Sequence, residues 1–149
     1  FNVITFDGNE DAESWKKKLV PATERNRESF MKYLAKLEPD GGTNLWSALE
    51  MAMKIKSLTY GDRYETWVDE IFILSDGAPS VGEVLDPIEI LRLVKEANRF
   101  AKMRINTVFI SSKDPVEERQ NRMPWMDGVK PEELMRRLAK ENGGKCVIL

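Results

Sequence analysis

The sequence contains no histidine. That excludes Ser-His-Asp and Cys-His nucleophilic catalysis, zinc sites with imidazole ligands and a histidine pH switch. Cysteine occurs once, as Cys146, so no disulfide can form within the chain. Lying beside Val147, Ile148 and Leu149, this thiol reads as a buried small apolar residue, and the absence of disulfides is compatible with a reducing compartment such as the cytoplasm. No apolar run approaches the roughly 20 residues of a membrane span, and no signal peptide pattern is present. There is no basic excess either: 23 Lys+Arg stand against 25 Asp+Glu, a net charge of −2, which leaves no electrostatic footprint for nucleic acid. No Gly-x-x-x-x-Gly-Lys-Ser/Thr phosphate loop, internal repeat or low-complexity segment occurs. What remains is 149 residues, 42% hydrophobic and 32% charged, the profile of one globular domain spanning residues 1–149.

The first residues, Asn2 to Phe6, are β-branched and aromatic and predict a strand, with Asp7-Gly8-Asn9 as its turn. Ser14 to Val20 predicts a returning strand whose lysines, Lys16 to Lys18, guard an edge. Because Phe1 stands inside a strand and is not a methionine, a segment ahead of it is expected to have been lost or removed. Thr23 caps a helix carrying Phe30, Met31, Leu34 and Leu37 at helical spacing. After Pro39-Asp40-Gly41-Gly42, a second helix is expected from about Asn44 to Leu58. A polar connection with Tyr60, Tyr64 and Trp67 follows. Ile71 to Leu74 is a continuous apolar run, the pattern of a parallel strand buried on both faces. Asp86-Pro87 supplies a capping side chain and a proline at the first helical position. Ile105 to Ser111 predicts another strand, Pro131 opens a further helix, Gly143-Gly144 closes it, and Lys145 to Leu149 forms a final strand. Alternation of strands and helices predicts an α/β fold: a doubly wound, mostly parallel sheet with one antiparallel edge strand and helices on both faces.

Ligands of such sheets bind at the carboxyl ends of the strands. Asp76 stands there, directly after the apolar run, with Gly77 allowing a sharp turn. Thr43 is the second position, preceded by Gly41 and Gly42 and set just before a helix. A carboxylate with a hydroxyl is a hard-oxygen pair suited to Mg²⁺, Mn²⁺ or Ca²⁺. The competing reading makes Thr43 or Asn44 a helix cap and Asp76 a turn residue. The long irregular stretch from Ser112 to Lys130 carries Met123, Trp125 and Met126. These are either a partner-binding patch or residues folded back onto the core.

Phe-Asn-Val-Ile-Thr-Phe, Asp-Gly-Gly-Thr-Asn-Leu, Ile-Phe-Ile-Leu-Ser-Asp-Gly-Ala-Pro-Ser and Ala-Lys-Glu-Asn-Gly-Gly, in that order, resemble a von Willebrand factor type A domain. The resemblance implies a Rossmann-like doubly wound fold. It also implies a metal-ion-dependent adhesion site whose Mg²⁺ completes its coordination with an acidic side chain of a protein partner. Thr43 and Asp76 match that site's threonine and later aspartate, with Gly41, Gly42 and Gly77 in the supporting loops. The family's Asp-x-Ser-x-Ser motif, which follows its first and central strand, occurs nowhere here. The domain is therefore expected to be truncated at its N-terminus and its metal site incomplete, with metal weak or absent in this chain alone. The strands flanking the missing one would then pair directly, accept a strand from a neighbouring chain in self-association, or leave the fold poorly stable. Three readings of function follow: a protein-binding module using metal in its intact form, a metal-free scaffold binding through residues 112–130, and a Mg²⁺-dependent hydrolase built on Asp76. The hydrolase reading lacks a general acid or base beside Asp76.

Overall fold

Local capping chemistry sets the element boundaries. The computed structural model describes residues 1–8, 12–38, 41–54, 68–111 and 128–149. Its strands are β1 (Ile4–Thr5), β2 (Glu13–Ser14), β3 (Glu70–Ser75), β4 (Arg104–Phe109) and β5 (Cys146–Ile148). Its helices are α1 (Glu24–Leu34), α2 (Leu45–Lys54), α3 (Pro87–Ala101) and α4 (Pro131–Glu141). The Thr23 hydroxyl accepts from Asn26 N at 3.4 Å and opens α1. Asp86 Oδ1 accepts from Ile88 N at 2.9 Å, with Pro87 at the first turn of α3. At the far end of α4, Gly143 takes a φ of +70° and Gly144 N donates to Ala139 O.

β3, β4 and β5 form a parallel sheet in that order, and β1 and β2 form a separate antiparallel pair. The α/β architecture expected from the alternating pattern is thus present, with the antiparallel pairing confined to the separate β1–β2 ribbon and not at an edge of the parallel sheet. The core lies on one face of the parallel sheet. Ile73, Ile105 and Phe109 meet Leu45 and Leu49 of α2, Ile90, Leu91 and Val94 of α3, and Leu134, Met135 and Leu138 of α4. Two buried polar groups lock this face. The Thr107 hydroxyl donates to Met135 O at 2.9 Å, joining β4 to α4. Asn98 donates through Nδ2 to Met103 O and Asn142 Oδ1, both at 2.7 Å, and its Oδ1 accepts from Met103 N. It therefore holds the left-handed turn at Lys102 (φ 52°) and ties the ends of α3 and α4 together.

Several expectations are corrected. β3 is buried on one face only: Phe72 and Leu74 are 71% and 60% exposed, while Ile73 and Ser75 are buried. Cross-strand register continues that open face through Val147, paired to Val108 opposite Leu74. α1 does not cover it; the helix has no buried residue and leaves Met31 and Leu34 exposed. It packs through aromatic rings on the β1–β2 ribbon instead, Phe30 meeting Trp15 at 5.6 Å and Phe1 at 6.4 Å. Cys146, in register with Thr107, is half-buried against the core, whereas Val147 lies on the open face and Ile148 and Leu149 are exposed at the end of this edge strand.

The second strand is also shorter than expected, ending at Ser14. The Asn2 side chain explains this. Its Nδ2 donates to Ser14 Oγ and Lys16 O, and its Oδ1 accepts from Lys16 N, so a side chain takes the place of the ladder. Lys16 then lies over the Trp15 ring, 4.7 Å from its centroid. The end of the second helix beyond Lys54, the tyrosines and Trp67 of the connection, and Met123, Trp125 and Met126 lie outside the described residues. Among the described residues no helix is long and apolar enough to cross a membrane.

Candidate functional site

The carboxyl end of β3 is built by side chains that satisfy their own turn. Ser75 is buried and its hydroxyl accepts from Gly77 N at 3.0 Å. Asp76 Oδ1 accepts from Ala78 N at 3.2 Å and from the Ser75 hydroxyl at 3.5 Å. This leaves Oδ2 of the exposed Asp76 without a partner among the described residues. The chain can turn here because Gly77 has a φ of +70°. A Cβ on Gly77 would also lie 2.7 Å from both Pro131 O and Met135 Cγ, so the turn fits against the start of α4 only as glycine.

Thr43 is held by a different set of contacts. Asn44, not Thr43, caps α2: its Oδ1 accepts from Ser47 N at 3.2 Å. The Thr43 hydroxyl has no hydrogen-bond partner among the described residues and faces the same groove as Asp76. The competing reading of this segment therefore applies to Asn44 alone. The Gly41-Gly42 loop packs against the turn after β1. A Cβ on Gly8 would overlap the main chain of Gly42, and Asn44 N donates to Asp7 O at 3.1 Å.

Ser80 joins the two halves. Its hydroxyl accepts from Thr43 N at 2.8 Å, and its own N–H donates to Thr43 O at 3.1 Å. Gly42 lies so close that an added Cβ would come within 2.6 Å of Ser80 Oγ. This two-way bond fixes the loop bearing Thr43 to the loop bearing Asp76. Sequence reasoning passed over Ser80 because a serine after a proline carries no distinguishing signal. It also read Asp7-Gly8 only as a turn, although that turn abuts the site.

As a metal site the geometry is partial. Asp76 and Thr43 supply hard oxygens of the right kind for Mg²⁺, Mn²⁺ or Ca²⁺. Among the described residues, however, no group of three or more His, Cys, Asp or Glu side chains converges to hold an ion. Two side-chain oxygens supply only a minority of an octahedral shell, so water or another segment has to complete it.

Comparison with known proteins follows the same line. The von Willebrand factor type A domain model matches residues 1–117. Inter alpha-trypsin inhibitor heavy chain 4 of Mus musculus is 37% identical over 101 residues, 65% of this chain and 10% of that protein. The Homo sapiens heavy chain H4 is 36% identical over 99 residues, again 65% of this chain and 10% of the relative. The Homo sapiens heavy chain H2 is 36% identical over 86 residues, 56% of this chain and 9% of the relative. The chain thus spans about a tenth of the length of these curated relatives. With a family model covering most of its length, and with the α/β architecture and glycine-framed loops described above, the chain belongs to the von Willebrand factor type A domain family.

Proposed function

We propose that this chain is a protein-binding module that engages an acidic side chain of its partner at the loops bearing Thr43 and Asp76. Binding, not turnover, is the chemistry these groups suit. They offer coordination and hydrogen bonding, with no neighbouring acid–base pair to move a proton. One observation carries the reading. The Ser80 latch holds the two loops together while the Thr43 hydroxyl and Asp76 Oδ2 remain unused, facing one groove. A divalent cation would be held there by Thr43 and Asp76, with Gly41, Gly42 and Gly77 allowing the close approach of the loops. Such a cation supplies Lewis acidity toward a partner carboxylate. The relatives are named as heavy chains of inter-alpha-trypsin inhibitor, a name that accords with an interaction role for a related domain.

The test is a Mn²⁺ titration followed by thermal unfolding, on the wild-type chain and on Asp76→Ala. Binding to the folded form raises the unfolding midpoint by mass action. A rise that Asp76→Ala removes supports the reading. An unfolding midpoint indifferent to Mn²⁺ in both proteins excludes metal-assisted recognition by this chain alone.

A further inference from the structure

Asn142-Gly143 is the one asparagine–glycine pair in the sequence. It ends α4, with Asn142 as the C-cap at φ −115° and ψ 25° and Gly143 at φ +70°. Such a pair has a reaction open to it without any enzyme, and asparagine is thermolabile for this reason. The glycine nitrogen attacks the asparagine Cγ, Nδ2 leaves as ammonia, and a five-membered imide forms. Water then opens the imide at either carbonyl, giving aspartate or isoaspartate. Glycine favours the attack because no Cβ shields its nitrogen. The Gly143 N–H donates to no described residue, and an added Cβ there would meet nothing within 4 Å. The nucleophile is therefore free and open to water.

The folded turn keeps the target away from it. At ψ 25° the Gly143 nitrogen stands on the far side of the Cα–C bond from the Asn142 Cβ, so the ring closes only after that bond rotates. Three hydrogen bonds oppose the rotation. Asn142 Nδ2 donates to Leu138 O at 2.8 Å, Asn98 Nδ2 donates to Asn142 Oδ1 at 2.7 Å, and Gly144 N donates to Ala139 O at 2.9 Å. Asp76-Gly77 has the same skeleton and is blocked further. Its Gly77 N–H donates to the buried Ser75 hydroxyl at 3.0 Å, and a carboxylate resists the attack more than an amide does.

We infer that Asn142 is a site of spontaneous deamidation, released by local opening of the turn that ends α4 and restrained by Asn98. The product loosens the junction of α3 and α4. Either form loses the donor to Leu138 O and places a carboxylate among the last carbonyls of α4, where negative charge is unfavourable. Isoaspartate also adds a main-chain carbon beside Gly144, where an added Cβ would already overlap Ile105 O. The inference stands whether or not Thr43 and Asp76 hold a cation.

The experiment incubates the full chain at neutral pH, folded and in urea, and follows aspartate and isoaspartate at position 142 by peptide mass spectrometry. Conversion at Asn142 should be measurable in the folded chain and faster in urea. Under folding conditions Asn98→Ala should convert about fivefold faster than wild type, the worth of one net hydrogen bond. Ile90→Val, a mild core loss near the opposite end of α3, should keep the wild-type rate. Converted wild-type chain should unfold at a lower urea midpoint than unconverted chain. The inference is overturned by no conversion at Asn142 in the folded chain or by equal rates folded and in urea. It is also overturned if Ile90→Val speeds conversion as much as Asn98→Ala, which would make global unfolding the gate, or if conversion leaves the urea midpoint unchanged.

Discussion

The two faces of β3 carry side chains of the same kind and meet opposite fates. Ile73 is 6% exposed beneath α2, α3 and α4, whereas Leu74, the next residue, is 60% exposed. Nothing in the strand itself separates them. The difference lies in what each face is given to pack on, for burial is a property of a pair of surfaces and not of a residue. One half of the molecule is closed, with its polar groups paired inside it. Among the described residues, the other half presents strand edges without a partner strand, an apolar sheet face and two loops with unused oxygens. The closed half positions the loops that carry Thr43 and Asp76.

The largest effect should come from breaking the closed half. Leu138→Ala, at a fully buried position, should cost about 2–5 kcal/mol in urea unfolding. Leu74→Ser on the open face should stay within about 0.5 kcal/mol of wild type. Comparable losses at the two positions would mean that the open face is covered in solution. Asn98→Ala should follow at about 1–3 kcal/mol, because it strands the Met103 main chain and separates α3 from α4. Denaturant midpoints of Asn98→Ala and Asn98→Asp would show it, the second keeping the acceptor toward Met103 N while losing both donated bonds.

Ser80→Ala sharpens the comparison from the other side. Losing one hydrogen bond should cost only about 1 kcal/mol of stability, yet it unties Thr43 from the Asp76 loop. Any Mn²⁺-dependent rise in the unfolding midpoint should therefore shrink by more than the stability change accounts for. The smallest effect concerns Glu89. The Arg92 guanidinium, hydrogen-bonded to it, holds its carboxyl below the usual glutamate value of 4.5. A depressed folded-state value means that the contribution is present above the unfolded value and lost as pH falls through the folded one. The pair is exposed, so a Glu89→Gln chain should melt only slightly below wild type at neutral pH, and that small difference should vanish as the pH falls below about 4.5 and the wild-type glutamate protonates.

The sequence made local chemistry legible. Asp86-Pro87 announces the start of α3 and Gly143-Gly144 the end of α4, because each signal acts within a few residues. The places of Thr43 before a helix and of Asp76 at a strand end were legible, and the structure sets both residues on one groove. What the sequence hid is nonlocal. Ile71 to Leu74 looks like a strand buried on both sides, yet only the packing partners decide that Phe72 stays open. Ser80 is chemically ordinary until Thr43 folds against it. The Asn2 side chain shortens β2 through bonds to Ser14 and Lys16, a substitution of side chain for ladder that strand patterning does not register.

The division into a closed and an open half is tested most directly by amide hydrogen exchange along β3 of the unliganded chain. The N–H groups of Ile71, Ile73 and Ser75 face β4 in the parallel ladder, and those of Phe72 and Leu74 face the groove. The account predicts alternation, with slow exchange at Ile71, Ile73 and Ser75 and fast exchange at Phe72 and Leu74. Uniform slow exchange along the strand would contradict it, since both edges of β3 would then be paired.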